Sequence, residues 1–368
     1  MSAALRLARR GLGQVWPNPA VGCVLVRSGG GEPGGRGLVV GRGWTQRGGR
    51  PHGEAEAIRR AGDLAHGATA YISLEPCNHH GRTPPCTEAL LDAGVARAVI
   101  AAEDPDPRVR GAGVARLRAG GVDVVEGVME PAARALNEGF FLRVERGRPL
   151  ITLKLATTLD GRLATSSGES QWITGEVARA AAHALRASHD AIMVGSGTAT
   201  IDDPSLTCRL PGMADASPVR IVVDGRLRMS LTSQLVRTAQ DVPTWLVTRR
   251  TGDRSRKTAF RDAGVEVIEL DEGEVSEQAP LDAVLAELGR RGLTRVLVEG
   301  GSHLAASLVQ QDLIDRLVWV HAPAVMGGDG LPALQPIGVG RMAELRRFRR
   351  VSVRRVGEDV LETYGRPT

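Results

Sequence analysis

Two short segments bring together side chains that suit hydrolytic metal chemistry. Pro51-His52-Gly53-Glu54 supplies an imidazole and a carboxylate, and the segment Glu75–Cys86, EPCNHHGRTPPC, supplies two thiols. A catalytic zinc takes three protein ligands and leaves a fourth position open for water. His52, Cys77 and Cys86 would give one nitrogen and two thiolates, a set that suits borderline-soft zinc. Glu54, two residues after His52, is then the proton shuttle, because the metal acidifies a water and a nearby carboxylate carries its proton. Base deaminases pair a His-x-Glu with Pro-Cys-x-x-Cys, the Glu not being a ligand. Here eight residues, not two, separate Cys77 from Cys86. A lone His-x-Glu would say nothing, and two core cysteines with a surface histidine are the bland alternative. The combination, set between a strand and a helix, is far more specific. His79 and His80 are substitute ligands. A zinc-stabilised scaffold is the rival from another class, and Glu54 speaks against it, since a structural site needs four ligands and no carboxylate.

A second set of segments suits nucleotide and phosphate binding. Val298-Glu299-Gly300-Gly301-Ser302 lies between a strand and a helix, where paired glycines let backbone N–H groups approach a phosphate. Val194–Leu210 holds a Gly/Ser/Thr turn, two aspartates and Arg209, and Ser167–Thr174 offers hydroxyls and an amide ahead of a helix. Each alone reads equally well as a polar loop with helix caps. No GxGxxG follows a strand here, so a Rossmann reading lacks its fingerprint. Of 47 Lys+Arg residues only Lys154 and Lys257 are lysine, which marks Lys154 as a place for a compact ammonium.

The elements that must position these groups follow from pattern and length. A chain of 368 residues suggests two domains. Short valine-rich runs alternate with helical stretches throughout, the pattern of layered α/β domains. Residues 1–17 read as a short amphipathic helix, Ala20–Val26 as a buried strand, and Ser28–Gly37 as a solvent hairpin turn. The segment His52–Asp63 reads as a helix. The charged stretch 143–149, RVERGRP, marks the junction, giving domains 1–146 and 147–368. Arg341–Arg355 reads as a solvated strand-and-turn surface. With 42% hydrophobic and 24% charged residues the chain is an ordinary globular one. No apolar run is long enough to span a membrane, and the start is too charged for a secretory signal, so the expected location is cytoplasmic. A net charge of +5 permits a phosphorylated partner. Aromatics are 3% of the chain, too few to stack single-stranded nucleic acid readily. Four cysteines form no disulfide framework.

Taken together, PNPAVGCV (Pro17–Val24), His52/Glu54 and PCNHHGRTPPC resemble one family, the bifunctional riboflavin-biosynthesis deaminase/reductases. KLATTLDG (Lys154–Gly161), SQWIT (Ser170–Thr174), GTATIDDP followed by Leu206 and Arg209, and VEGG extend the resemblance over nearly the whole chain. It implies an N-terminal cytidine-deaminase-like α/β/α domain and a C-terminal dihydrofolate-reductase-like α/β domain. His52, Cys77 and Cys86 would be zinc ligands, with Asn18 and His79 in the pyrimidine pocket. Ala156, Trp172, Thr198 and Asp202 would meet NADPH, together with Gly300 and Gly301. Ser170, Arg186, Leu206, Arg209 and Glu299 would meet the substrate, Arg186 and Arg209 forking onto its phosphate. Lys154 or Asp202 would assist proton transfer. The implied partner is a phosphorylated pyrimidine, not nucleic acid or membrane, and the implied assembly is a homo-oligomer. A tRNA-type nucleic-acid deaminase with an accessory domain is the alternative. The family usually has Ala where Gly53 stands, and often His in place of Glu56.

Overall fold

The structure, a computed structural model, describes residues 1–28, 37–79, 84–271 and 281–367. Most of the Gly-rich turn 28–37 and the His80–Thr83 part of the cysteine loop therefore lie outside the described residues. The chain divides into two compact units, Met1–Gly147 and Arg148–Thr368.

The first unit is built on strands β1 (Gly22–Arg27), β2 (Leu38–Trp44), β3 (Thr69–Ile72), β4 (Arg97–Ile100) and β5 (Asp123–Val125), in the order β2-β1-β3-β4-β5. The first two pairings are antiparallel and the last two parallel. Successive strand residues face opposite sides of a sheet. Gly22 lies against Ala4 of helix Ser2–Ala8, whereas Gly43, which pairs with Cys23, lies against Gly53 and Ala57 of helix Gly53–Ala61. The two helices thus cover opposite faces, and the unit is a three-layer α/β/α sandwich. Leu25, Ile72, Leu74, Leu90, Ile100 and Leu117 fill its core.

The second unit holds β6 (Leu150–Thr157), β7 (Arg162–Ala164), β8 (Ala191–Gly195), β9 (Val219–Val223), β10 (Thr244–Arg249), β11 (Glu266–Leu270), β12 (Arg295–Glu299), β13 (Arg316–His321), β14 (Leu331–Pro332), β15 (Arg349–Val356) and β16 (Asp359–Gly365). Nine of these form one sheet, β11-β10-β9-β8-β12-β6-β13-β16-β15, and β7 and β14 form a separate ribbon. The sheet is parallel from β11 to β13 and antiparallel beyond. Parallel strands are covered on both faces, which explains why β9 (VRIVV) and β12 (RVLVE) read as continuous valine-rich runs.

The structure differs from the sequence reading at two places, the N-terminal helix and the segment after β8. The N-terminal helix stops at Ala8 and passes through a 3-10 turn at Arg9–Gly11. The stretch RVERGRP does hold the junction: Arg143–Arg146 is the last turn of helix Glu138–Arg146, Gly147 closes it at φ 70°, and the second unit starts at Arg148. That helix and Glu130–Leu136 before it carry too many charges to stand out as apolar-periodic. The Gly/Ser/Thr segment after β8 is a short helix, Ser196–Ile201, and β15 and β16 form a hairpin. Arg341–Arg355 is, as expected, an exposed surface strand with a short 3-10 turn ahead of it. Among the described residues no helix is long and apolar enough to cross a membrane.

Candidate functional site

His52 is the N-cap residue of helix Gly53–Ala61, and Cys86 opens helix Cys86–Asp92. Cys77 sits in the loop after β3. His52 Nδ1 lies 3.3 Å from Cys86 Sγ and 3.6 Å from Cys77 Sγ, and the three ligand atoms lie within 4.8 Å of one another. A tetrahedral zinc with its usual bond lengths needs an N···S separation of about 3.6 Å, so these residues fit the ion. The Cys77 thiol is drawn down to about 4, chiefly by the hydrogen bond from the Cys86 thiol, against burial and with help from His52. The same bond, with burial, pushes Cys86 up, and the contact with Cys77 raises His52. Such a cluster carries a thiolate that a cation would satisfy. Glu54 is buried beside it, and Oε2 has no hydrogen-bond partner. Burial lifts this carboxyl to about 7.

Close backbone packing sets where this helix lies. A Cβ at Gly43 would strike Gly53 and Ala57, and one at Gly53 would come within 2.8 Å of the Val21 carbonyl oxygen. The departure from Ala at position 53 therefore has a local cause: the helix start rests directly on the strands. Glu56, the other departure, accepts from Arg59 and Arg60 at 2.7–3.0 Å, so it serves the helix rather than the ligand cluster. Asn18 donates to the Gly49 carbonyl in the turn leading to His52. Half-buried His79 keeps a buried Nδ1 without a partner. His80 lies outside the described residues.

The sequence reading passed over Glu75, the residue that holds the cysteine loop. Its buried carboxylate accepts from the backbone N–H groups of Asp104, Gly111, Gly113 and Val114 at 2.9–3.2 Å. That clamps the start of helix Ala112–Ala119 against the loop carrying Cys77. Its signal was the EPC tripeptide itself, whose carboxylate has no local use.

In the second unit the remaining site residues meet at one cavity of about 460 Å³. Lys154 and Ala156 come from β6, and Glu299 sits beside Lys154 in the parallel register of β12. Trp172, Thr198, Asp202 and Leu206 line the same walls, as do Ser170, Arg186 and Arg209. Gly300 and Gly301 follow β12 at φ 75° and 68°, a region glycine enters without strain. A Cβ there would fall 3.0–3.2 Å from Thr198 Oγ1, so the turn is a cradle that larger residues would fill. It leads into helix Ser302–Gln310, whose N-terminal N–H groups suit a pyrophosphate.

The two arginines differ in how they are engaged. Arg186 forks onto Glu299 at 2.8 and 2.9 Å and also donates to the Thr207 carbonyl, so its planar face is held by protein and not presented to a phosphate. Burial works to raise Glu299, but the Arg186 charge and hydrogen bonds outweigh it and hold the carboxyl at about 2. Exposed Arg209 donates one N–H to Ser205 Oγ at 2.8 Å. His183, one helical turn before Arg186, also lines the cavity and accepts the Arg209 backbone N–H through Nδ1. The i,i+3 spacing of His183 and Arg186 was its available signal. Arg220, fully buried on β9, ties the Ser205 carbonyl to the Leu235–Thr244 segment and so braces the loop bearing Leu206 and Arg209.

Known proteins match both units. The family described as the RibD C-terminal domain matches residues 149–361, and the cytidine and deoxycytidylate deaminase zinc-binding region matches residues 1–102. The riboflavin biosynthesis protein RibD of Escherichia coli (strain K12) is 40% identical, over 98% of this chain and 96% of its own length. A solved structure of Acinetobacter baumannii RibD aligns with a TM-score of 0.88 at 35% identity, covering 100% of this chain and 98% of that one. The solved diaminohydroxyphosphoribosylaminopyrimidine deaminase/5-amino-6-(5-phosphoribosylamino)uracil reductase of Thermotoga maritima aligns at a TM-score of 0.83 and 32% identity, over 100% and 97% of the two chains.

Proposed function

The chain belongs to the RibD family of riboflavin-biosynthesis proteins, and on that footing we propose that its first unit deaminates 2,5-diamino-6-(5-phosphoribosylamino)pyrimidin-4-one and its second reduces the ribosyl group of the product to a ribityl chain. It is thus a bifunctional deaminase and reductase of a small pyrimidine. Relatives that span both units disfavour a nucleic-acid deaminase with an accessory domain.

In the first unit, His52, Cys77 and Cys86 would hold a zinc ion, which would supply a water of lowered pKa. Glu54 does the proton work. Its unpartnered Oε2 takes a proton from water and returns it to the departing amine. One water is consumed, the pyrimidine carbon gains an oxo group, and ammonia leaves. Asn18 and His79 hold the pyrimidine edge.

In the second unit, Ala156, Trp172, Thr198, Asp202, Gly300 and Gly301 would hold NADPH, which would supply the hydride. Arg209 takes the substrate phosphate with Ser170 beside it, and Leu206 packs the ring. The Arg186–Glu299 pair keeps Glu299 ionised, ready to accept sugar hydroxyls. The opened sugar gains hydride at C1, and Lys154, next to Glu299, supplies the balancing proton. The chain acts in the cytoplasm as a homo-oligomer; the outer strand β15, with exposed Val351 and Val353, is an edge on which a second copy can pair.

The observation that carries this reading is the meeting of His52, Cys77 and Cys86 beside buried Glu54, whose Oε2 has no partner. Mass spectrometry of the product, with and without NADPH, tests it. Amine-to-oxo exchange without cofactor, and a further gain of two hydrogens with it, is the expected result. No exchange by zinc-replete protein would overturn it.

A further inference from the structure

Residues 202–209 carry three of the reductase contacts, Asp202, Leu206 and Arg209, on a strained backbone. Asp203 stands at φ 36° and buried Leu206 at φ 52°. Few non-glycine residues enter this left-handed region, and the residue before a proline, here Pro204, ordinarily takes an extended shape. Such conformations persist only where the surroundings over-determine them, and they gather at functional sites. Two clamps do so here. Fully buried Arg220 donates to the Ser205 carbonyl. Gln234 holds Asp203 through two bonds of 2.8 Å, its side-chain amide donating to the Asp203 carbonyl and its backbone N–H to Asp203 Oδ1. Gln234 opens helix Gln234–Arg237, whose N-cap residue Ser233 makes no side-chain capping bond. Asp203, 31 residues away in sequence, caps that helix in its place. The helix is a firm anchor. Leu235 and Val236 are buried in the core of the unit, and Arg220 donates to the carbonyls of Leu235, Thr238 and Val242. Asp203 and Gln234 both line the reductase cavity.

We propose that Gln234 is a positioning residue of the reductase: through Asp203 it fixes the shape of residues 202–209 and so sets where Asp202, Leu206 and Arg209 stand in the cavity. The inference rests on the reductase reading and deepens it. Gln234 acts on the loop and not on a reactant. Aspartate suits the clamped position because its short polar side chain tolerates a positive φ and also accepts the Gln234 N–H. Without the Gln234 amide, the Asp203 peptide is free to leave the left-handed region. Arg209, whose guanidinium bonds Ser205 Oγ two residues beyond Asp203, then shifts with it. Substrate and transition state lose the same contacts, which raises KM and spares kcat.

Steady-state kinetics of the full chain on the deaminated pyrimidine with NADPH test this, with deamination and circular dichroism melting read on the same preparations. Q234A loses the bond to the Asp203 carbonyl. It should raise KM for the pyrimidine by about 3- to 10-fold, with kcat within about twofold of the wild type. D203A loses the acceptor and the tolerance of a positive φ together, and should raise KM by about 10-fold or more. D203N keeps both and should stay within about twofold of the wild type. The double variant D203A/Q234A should be no worse than D203A, because the two residues act as one clamp. Deamination should be unchanged throughout. If D203A does not fold, Q234A and D203N still decide the matter. Wild-type KM in Q234A, additive losses in the double variant, or a fall in kcat at unchanged KM would each overturn the proposal while the reductase reading stands. If the wild-type protein itself does not reduce the substrate, the reductase reading falls with it.

Discussion

Glu54 and Glu299 are both buried, one in each unit, yet they are held in opposite protonation regimes. Burial dominates at Glu54 and lifts it to about 7, against the pull of His52. Burial also works to raise Glu299, but the forked Arg186 overrules it and keeps that carboxyl at about 2. The contrast matches two kinds of chemistry. A group that must take up and release a proton near neutrality needs a site that penalises its charge. A group that must only accept hydrogen bonds from a sugar needs a fixed charge and a fixed geometry. On the proposed mechanism the first site uses its own acid–base group at the reacting atoms, whereas in the second the cofactor would bring the hydride and the protein position it.

The contrast can be sharpened from the reductase side first. R209A removes the phosphate grip and leaves the Arg186–Glu299 pair in place. The reductase KM for the pyrimidine should rise by roughly 10- to 100-fold, the worth of one charge-assisted contact, with kcat nearly unchanged. Steady-state kinetics on the deaminated substrate reads this. A fall in kcat with no change in KM would move Arg209 from binding to positioning.

A smaller effect belongs to the first unit. G53A gains about 0.5–1 kcal/mol of helix propensity. It also drives a Cβ to 2.8 Å from the Val21 carbonyl, where only backbone can give way, and overpacking of this kind costs about 1–3 kcal/mol. The net loss should be about 1 kcal/mol, lowering the melting point of that unit by roughly 2–6 °C. A rise in melting temperature would show that the helix can lift off its glycine floor.

The mildest test is pH. Glu299 is depressed in the folded protein, from 4.5 to about 2. Its stabilisation is therefore complete above about pH 4.5 and is lost as pH falls towards 2. E299Q should melt lower at pH 6 and lose less on acidification than the wild type. Equal acid sensitivity in both proteins would deny Arg186 its control of this carboxyl.

What the sequence disclosed follows how each site is assembled. His52, Glu54, Cys77 and Cys86 sit in two short motifs, and the requirements of a metal tie them together before any fold is known. The alternation of valine-rich strands and helices fixed both units as layered α/β. The Arg186–Glu299 pair joins residues 113 apart and leaves no local trace, so both read as separate substrate contacts. Glu75 was hidden for a similar reason, since its partners are backbone N–H groups on a distant loop.

The central claim is that Glu54 moves protons for one reaction and plays no part in the other. The most direct measurement is made on E54Q, with zinc content and both half-reactions assayed separately on one preparation. The account predicts retained zinc, deamination reduced by about 10²–10⁴-fold, and reduction of the deaminated substrate at the wild-type rate. Deamination at the wild-type rate with zinc in place would contradict it.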